Sequence, residues 1–213
     1  MYQRGVKRIL DIILSLAGLI VLAIPMAVIA VAIKLDSPGP VFFRQKRVGI
    51  HKTYFEMIKF RTMSTSAPAN MPTHLLEHPE AYITHFQAFL RKSSLDEIPQ
   101  LFCILRGDMS VIGPRPALWN QEDLIAARER CGANDVRPGL TGWAQINGRD
   151  ELPIAVKAAY DGEYVEKLSF LFDCKCFFGT IGKVLRREGV VEGGTGTLMR
   201  EAEKERKEEQ SVK

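Results

Sequence analysis

The stretch that decides the fold is ILDIILSLAGLIVLAIPMAVIAVAI, residues 9–33. Only Asp11, Ser15, Gly18 and Pro25 in it are not apolar, whereas the whole chain of 213 residues is 46% hydrophobic. About 20 apolar residues are enough for a helix that crosses the hydrocarbon core of a bilayer. The rest of the chain has the composition of a soluble protein, which excludes a collagen, a disulfide scaffold, a disordered chain and a polytopic membrane protein. The sequence therefore predicts a soluble body joined to one oily segment.

Pro25 is the expected membrane bend, because proline lacks the amide hydrogen that would bond Val21 and so kinks or breaks a helix. The pieces on either side would be about 24 and 12 Å long, and neither crosses a core of about 30 Å. Basic residues flank both ends, and the positive-inside tendency places both ends in the cytoplasm. A re-entrant hairpin in one leaflet and a kinked single span both satisfy these features. A buried core helix of a soluble protein is the third arrangement.

Positive charge is concentrated in the first 61 residues, where ten Lys and Arg face three Asp and Glu, although the net charge of the chain is only +4. Anionic lipid headgroups or phosphorylated ligands suit this distribution, with Lys7 and Arg8 as the headgroup-binding candidates. A nucleic-acid partner is not expected, since no dense basic run is interleaved with aromatic residues. The four cysteines lack the spacing of a zinc site.

The body is predicted to be α/β (α+β) and mainly helical. Short strands at 41–43 and 53–62 form a hairpin around Gly49, with Lys59 and Arg61 on one face of the second strand. A further strand is expected at 143–146 and helices at 80–92, 98–106, 119–130 and 153–168. An amphipathic helix over 168–185 can pack on the core or lie flat on a bilayer.

The SLDE stretch of residues 94–97 precedes an apolar helical run and allows two interpretations. The S-x-x-E spacing is that of a capping box, whose acidic residues favour the first turn of a helix. A helix N-terminus also attracts phosphate, and a carboxylate held there can attack phosphorus. Asp96 and Glu97 diverge by about 100° on a helix, so one would attack while the other holds Mg²⁺.

Four arginines lie in or beside turns rich in glycine and proline: Arg91, Arg115, Arg137 and Arg149. Such turns often carry function when a scaffold fixes them. Arginine binds phosphate oxygens through two parallel hydrogen bonds, so these residues are candidate phosphate ligands.

Five motifs stand in one order: KRILD (7–11), KFRTM (59–63), Arg91 with SLDEIPQL (94–101), GDMSVIGPRP (107–116) and RPGLTGWAQINGR (137–149). Together they resemble the bacterial sugar transferase family, the monotopic phosphoglycosyl transferases, over residues 4 to about 190. The length resembles the small form of the family, close to the transferase that begins bacterial N-linked glycan assembly.

The resemblance implies an activity. Such enzymes move a sugar 1-phosphate from a UDP-sugar to undecaprenyl phosphate, release UMP and form a covalent aspartyl-phosphosugar, with Mg²⁺ as cofactor. Asp96 would be the nucleophile and Glu97 the Mg²⁺ ligand. The candidates for gripping phosphates or uridine are Lys59, Arg61, Arg91, Arg115, Arg137 and Arg149. The short form favours a 2-acetamido sugar such as diacetylated bacillosamine as the donor sugar.

The resemblance also implies a domain organisation. A re-entrant helix over residues 1–36 would anchor a catalytic domain over 37–190 to one leaflet, followed by a charged, flexible tail over 191–213. Interfacial helices would rest on the cytoplasmic face of the bacterial inner membrane. One position departs from the family, where Ser commonly precedes the proline, because Ile24 stands there. Two other functions are open: a non-catalytic membrane-anchored module and a metal-dependent phosphohydrolase.

Overall fold

The computed structural model describes residues 2–67, 79–148 and 152–186. Its helices are α1 (Lys7–Asp36), α2 (His85–Lys92), α3 (Gln100–Arg106), α4 (Glu122–Glu129), α5 (Trp143–Ile146), α6 (Ile154–Glu166) and α7 (Phe170–Arg186). Its strands are β1 (Phe42–Val48), β2 (Tyr54–Phe60), β3 (Ser110–Ile112) and β4 (Gly139–Thr141). The mixed and mainly helical fold agrees with the prediction. Arg149 and the expected tail at 191–213 lie outside the described residues.

The predicted hairpin is confirmed. Strands β1 and β2 pair antiparallel, with Phe42 opposite Phe60 and Val48 opposite Tyr54. The turn holds His51 and Lys52 in the left-handed region, at φ 53° and 59°. Two side-chain contacts join this turn to the body: His51 Nδ1 lies within hydrogen-bond distance of Asp135 at 2.9 Å, and Lys52 Nζ forms an ion pair with Glu129 at 2.9 Å.

The strand predicted at 143–146 is wrong, because those residues form helix α5. The extended segment lies just before it and pairs parallel with β3, with Ser110 opposite Gly139. Glycine is required at this crossing: a Cβ at Gly139 would lie 2.1 Å from the amide nitrogen of Gly113, and one at Gly142 would lie 2.2 Å from the carbonyl oxygen of Gly113. The GLTG pattern thus marks close backbone contact, and the apolar residues after it begin a helix.

The core has two main parts. The larger one lies between β2, α3, β3 and the helices α6 and α7, and its least exposed members are Cys103, Ile104, Met109, Tyr164 and Cys176. The second lies beneath the C-terminal half of α1 and contains Ile29, Ile33, Phe60 and Leu90. The long N-terminal helix is therefore part of the hydrophobic core.

Helix α1 runs unbroken through Pro25, so the expected division into two separate helices does not occur. The neighbours of the proline explain this result. Val21, whose carbonyl would lose its helical partner, is 74% exposed, and Ile24 is 78% exposed. The ring and the freed carbonyl thus fall on the outer face, where no packed side chain has to move. A straight helix of this length would extend about 45 Å.

One stripe of α1 packs on the body along nearly its whole length. Buried or core-packed positions recur every three or four residues, as they do in a helix with one buried face. They are Lys7, Asp11, Ser15, Leu19, Leu22, Met26, Ile29 and Ile33. The opposite face exposes large apolar side chains, and within the described residues α1 is the helix long and apolar enough to cross a membrane by length and composition. The helix therefore has one face in the hydrophobic core and an exposed apolar face on the opposite side.

Candidate active site

Asp96 and Glu97 lie in a 3₁₀ turn, Leu95–Glu97, between α2 and α3. The residue before the turn, Ser94, has φ 57°, and its side chain makes no capping hydrogen bond to the turn that follows. The capping-box interpretation of SLDE is therefore wrong. A capping box does exist one helix earlier, where Thr84 and Gln87 exchange hydrogen bonds at the start of α2. The two carboxylates at 96 and 97 have no such structural task.

Glu97 is anchored by two cations. Lys59 Nζ and Arg115 Nη2 each donate a 2.8 Å hydrogen bond to the same oxygen, Glu97 Oε1. Burial alone would raise the pKa of Glu97, but Arg115 and Lys59 outweigh it and hold this pKa well below its ordinary value. Glu97 is therefore ionised throughout the physiological range and fixed in position.

Asp96 differs from its neighbour. Its side chain is buried, and within the described part of the chain no group donates a hydrogen bond to its carboxylate. Burial, with a smaller contribution from the negative charge of Glu97, raises the pKa of Asp96 to about 6, although Lys59, Arg91 and Arg115 act in the opposite direction. At neutral pH it is a buried carboxylate that is ionised but poorly solvated, which is the state that favours nucleophilic attack.

Separate segments bring the charged groups together. Lys59 stands near the end of β2, Arg91 in the last turn of α2, and Arg115 in the loop after β3. All three act electrostatically on Asp96. The structure therefore brings Lys59, Arg91 and Arg115 close to the dyad, as their motifs suggested.

The structure gives Arg61 a different task from the predicted phosphate contact. The residue is 3% exposed, and its guanidinium donates three hydrogen bonds to backbone carbonyls, of Pro40 at 2.7 Å, Pro38 at 3.0 Å and Ser37 at 2.8 Å. These carbonyls belong to the turn that follows α1. Arg61 therefore closes that turn against β2.

Lys7 and Arg8, the predicted headgroup ligands, are also engaged within the protein. Lys7 Nζ is buried and pairs with Asp173 at 2.5 Å, and Asp173 also accepts a 2.8 Å hydrogen bond from the Tyr164 hydroxyl. Arg8 donates to the carbonyls of Ile104 and Leu105 at 2.6 and 2.9 Å. Both cations stand at the start of α1 and bind groups elsewhere in the protein, which corrects their assignment to lipid.

Two further site predictions have mixed outcomes. Arg137 Nε donates a 3.0 Å hydrogen bond to the carbonyl of Gly107, at the far end of α3 from the dyad. Arg149 lies outside the described residues. The sequence did not predict the role of Asp11, whose Oδ1 accepts hydrogen bonds from Ser110 Oγ at 3.0 Å and the Val111 amide at 2.9 Å. Its position inside an apolar block was the available signal.

The fit of a divalent cation depends on the donor set. Within residues 2–67, 79–148 and 152–186, no group of three or more His, Cys, Asp or Glu could hold a metal ion. Mg²⁺ needs fewer protein ligands, since one or two carboxylates together with substrate phosphates and water usually bind it. Both described donors to Glu97 use Oε1, so Oε2 is left for such a contact. The donors present therefore fit Mg²⁺ that arrives with a phosphorylated substrate.

Comparison with protein families identifies the family of the chain. The family model described as bacterial sugar transferase matches residues 2–187. The chain belongs to the bacterial sugar transferase family. Among the curated relatives, this family member is 39% identical to the UDP-glucose:undecaprenyl-phosphate glucose-1-phosphate transferase of Xanthomonas campestris pv. campestris, over 84% of this chain and 38% of the relative. It is 37% identical to the protein of the same name from Escherichia coli (strain K12), over 85% and 40%.

A third relative has about the same length as this chain. The uncharacterized sugar transferase EpsL of Bacillus subtilis (strain 168) is 36% identical, over 86% of this chain and 89% of the relative. By contrast, the chain spans about two fifths of the length of the relatives from Xanthomonas and Escherichia. The residues that the family model matches, 2–187, include the dyad and the cations around it.

Proposed function

We propose that the chain is a sugar-1-phosphate transferase that moves the sugar phosphate of a UDP-sugar to undecaprenyl phosphate and releases UMP. The proposal depends mainly on Asp96, a buried carboxylate without a described hydrogen-bond donor beside a glutamate that two cations hold. The printed names of the Xanthomonas and Escherichia relatives support the substrate classes. The pathway would be the assembly of a bacterial glycan.

The reaction proceeds in two displacements. An oxygen of Asp96 attacks the phosphorus next to the sugar, the bond from that phosphorus to the bridging oxygen breaks, and UMP leaves with the bridging oxygen. A phosphate oxygen of the lipid acceptor then attacks the same phosphorus. The bond to Asp96 breaks and the free carboxylate returns, so that the products are UMP and a lipid-diphosphate-sugar.

The cations of the site supply the electrostatic part of catalysis. Lys59, Arg91 and Arg115 act on Asp96 and would stabilise negative charge that develops on the phosphoryl oxygens. Glu97, through its second oxygen, would hold Mg²⁺ together with substrate phosphates. Once bound, Mg²⁺ would neutralise phosphate charge and favour departure of UMP.

A single-leaflet association of α1 at the cytoplasmic face of the inner membrane is part of the proposal. Both ends of the helix hold the same body, through Lys7 with Asp173 and through the Ser37 carbonyl with Arg61. A span would need about 20 residues clear of the polar body, whereas contacts with the body recur at every turn of α1. Apolar side chains are also exposed on α2, α3 and α7, at Phe89, Phe102, Phe170, Leu171, Phe178 and Ile181. An exposed apolar surface of this extent is typical of a membrane contact.

The decisive test is Asp96→Asn, assayed with UDP-sugar, undecaprenyl phosphate and Mg²⁺. We expect UMP release and the covalent phosphosugar to disappear, because an amide is not a competent nucleophile. Asp123→Asn, which changes an exposed acid on α4, is the matched control and keeps its activity. Full turnover by a folded Asp96→Asn protein would refute the mechanism.

The acceptor separates the remaining functions. The transferase releases at most one UMP per enzyme without undecaprenyl phosphate and turns over once it is added. A phosphohydrolase would turn over at full rate without the lipid, and a non-catalytic module would release no UMP. A donor panel should begin with UDP-glucose, which the relatives' names favour, and include the 2-acetamido sugars that the short form favours.

A further inference from the structure

Helix α1 lies directly against α3, the helix that begins three residues after Glu97. Gly18 is a point of close approach, because a Cβ at this position would lie 3.1 Å from Leu101 Cδ1. Leu101 belongs to the first turn of α3 and is 9% exposed, within the larger core. Any large side chain at position 18 would therefore push on the turn that follows the dyad.

The same helix also holds the opposite end of α3. Arg8 donates to the carbonyls of Ile104 and Leu105, and Arg137 donates to the carbonyl of Gly107. Carbonyls at a helix C-terminus are short of partners and carry the negative end of the helix dipole, so they bind guanidinium groups well. Helix α3 is thus held by α1 at its first turn and at its last.

A third connection reaches the dyad from the other side. Arg61 binds the Ser37 and Pro38 carbonyls directly after α1, and it stands two residues from Lys59, which binds Glu97. The strand that carries the lysine and the helix that follows the dyad are therefore both attached to α1. A displacement of α1 would reach the dyad through both.

We propose that α1 positions the active site as well as anchoring it, with Gly18 and Arg8 as positioning residues that act on Asp96 and Glu97 through α3. The inference rests on the proposed function. Neither residue touches the reacting atoms. A misplacement of about 1 Å at a reacting centre can reduce a rate by about 10²-fold, so a small change in the α1–α3 contact is enough to be measured.

The test compares Gly18→Leu with Ala17→Leu, which lies on the exposed side of α1. Both changes add an apolar side chain, and loss of glycine favours the helix by about 1 kcal/mol, so anchoring is not weakened. The first displacement is followed in detergent, without lipid acceptor, as a burst of UMP. The amplitude of the burst gives the amount of active enzyme. The rate of the burst depends on how well the dyad is positioned for attack. We expect Gly18→Leu to slow the burst at least tenfold at unchanged amplitude and Ala17→Leu to stay within twofold of the parent.

A compensating change sharpens the test. Leu101→Ala removes nearly the volume that Gly18→Leu adds, so the double variant should recover most of the lost rate, which a general loss of folding would not allow. Arg8→Gln should slow the burst at least fivefold, with Arg44→Gln, at an exposed strand position, as its control.

Gly18→Ala and Arg8→Gln decide the question if Gly18→Leu does not fold. The inference is refuted if both variants keep burst rates within twofold of the controls. It is also refuted if they lose burst amplitude while the burst rate is unchanged. Absence of any burst in the parent protein would instead refute the proposed function.

Discussion

Lys59 Nζ donates a 2.8 Å hydrogen bond to Glu97 Oε1, and the same ammonium group lowers the pKa of Asp96. One lysine thus fixes one carboxylate and keeps its neighbour ionised at neutral pH. Burial of Asp96 raises the same pKa more strongly than the lysine lowers it, and the result is a pKa of about 6. The two acids of the dyad are adjacent in sequence, but the pKa of Asp96 is raised whereas that of Glu97 is lowered.

Replacement of Lys59 by Met should move the pH dependence of the first displacement. Without the ammonium group, burial and the Glu97 charge act on Asp96 with less opposition, so its pKa should rise above about 6. The burst rate of UMP, measured from acidic to alkaline pH, should reach its midpoint at higher pH. Lys52→Met, which removes an exposed cation at the hairpin turn, should leave the midpoint in place. An unmoved or lowered midpoint in Lys59→Met would contradict the electrostatic role.

Asp96→Asn should stabilise the folded protein while it abolishes activity. The pKa of Asp96 is raised from 3.8 to about 6 in the folded state, so ionisation there opposes folding. The stability conferred by the protonated form is present below pH 3.8 and lost as the pH rises through about 6. Above that pH the amide should be more stable by up to about 3 kcal/mol.

Thermal unfolding at alkaline and acidic pH measures this effect. The midpoint of Asp96→Asn should exceed that of the parent at alkaline pH, and the difference should vanish at acidic pH. Asp123→Asn, on the exposed side of α4, serves as the control for the loss of a negative charge. A less stable Asp96→Asn protein at alkaline pH would show that the carboxylate has a structural partner.

Arg61→Met should destabilise the fold. The change leaves the carbonyls of Ser37, Pro38 and Pro40 without their donor, and an unpaired buried group costs about 1–3 kcal/mol. We expect a loss of about 3 kcal/mol in the free energy of unfolding, compared with less than about 0.5 kcal/mol for the exposed Arg44→Met. A stable Arg61→Met protein with weakened UDP-sugar binding would restore the phosphate-ligand interpretation.

Cysteines introduced at the two ends of α1 test its topology. Gly5→Cys precedes the helix, and Leu35→Cys stands near its end at a position that is 83% exposed. In intact spheroplasts an impermeant maleimide should label neither, and after lysis it should label both, with the labelling of native cysteines subtracted. Labelling of one position alone in intact spheroplasts would establish a span.

Sequence patterns were most informative where one local signal decides the structure. The hairpin around Gly49, the helix of the apolar block and the Asp96–Glu97 dyad all follow from periodicity, turn residues or motif. The short strand β4 was missed because its pairing with β3 and the close approach of Gly113 and Gly139 depend on residues far apart in the chain.

The cations show the same limit. Lys59 and Arg61 share a strand face and a motif, but one reaches Glu97 and the other closes a turn. Lys7 and Arg8 suggest a lipid contact by their position before an apolar block. Their true partners, Asp173 and the end of α3, lie about 100 residues or more further along the chain. Charge and spacing define which residues can bind an anion, and only the tertiary structure decides which hydrogen-bond acceptor each one meets.

The stripe of α1 that packs on the body has a consequence for how the protein matures. Ile33 is fully buried against Phe60 and Leu90, so removal of the helix would uncover one of the two main parts of the core. A truncated body would therefore aggregate instead of behaving as a soluble catalytic fragment. The helix also leaves the ribosome before the strands and helices that it must cover. The core is thus completed only when these later elements pack on the stripe of α1, so that α1 is the surface on which they assemble.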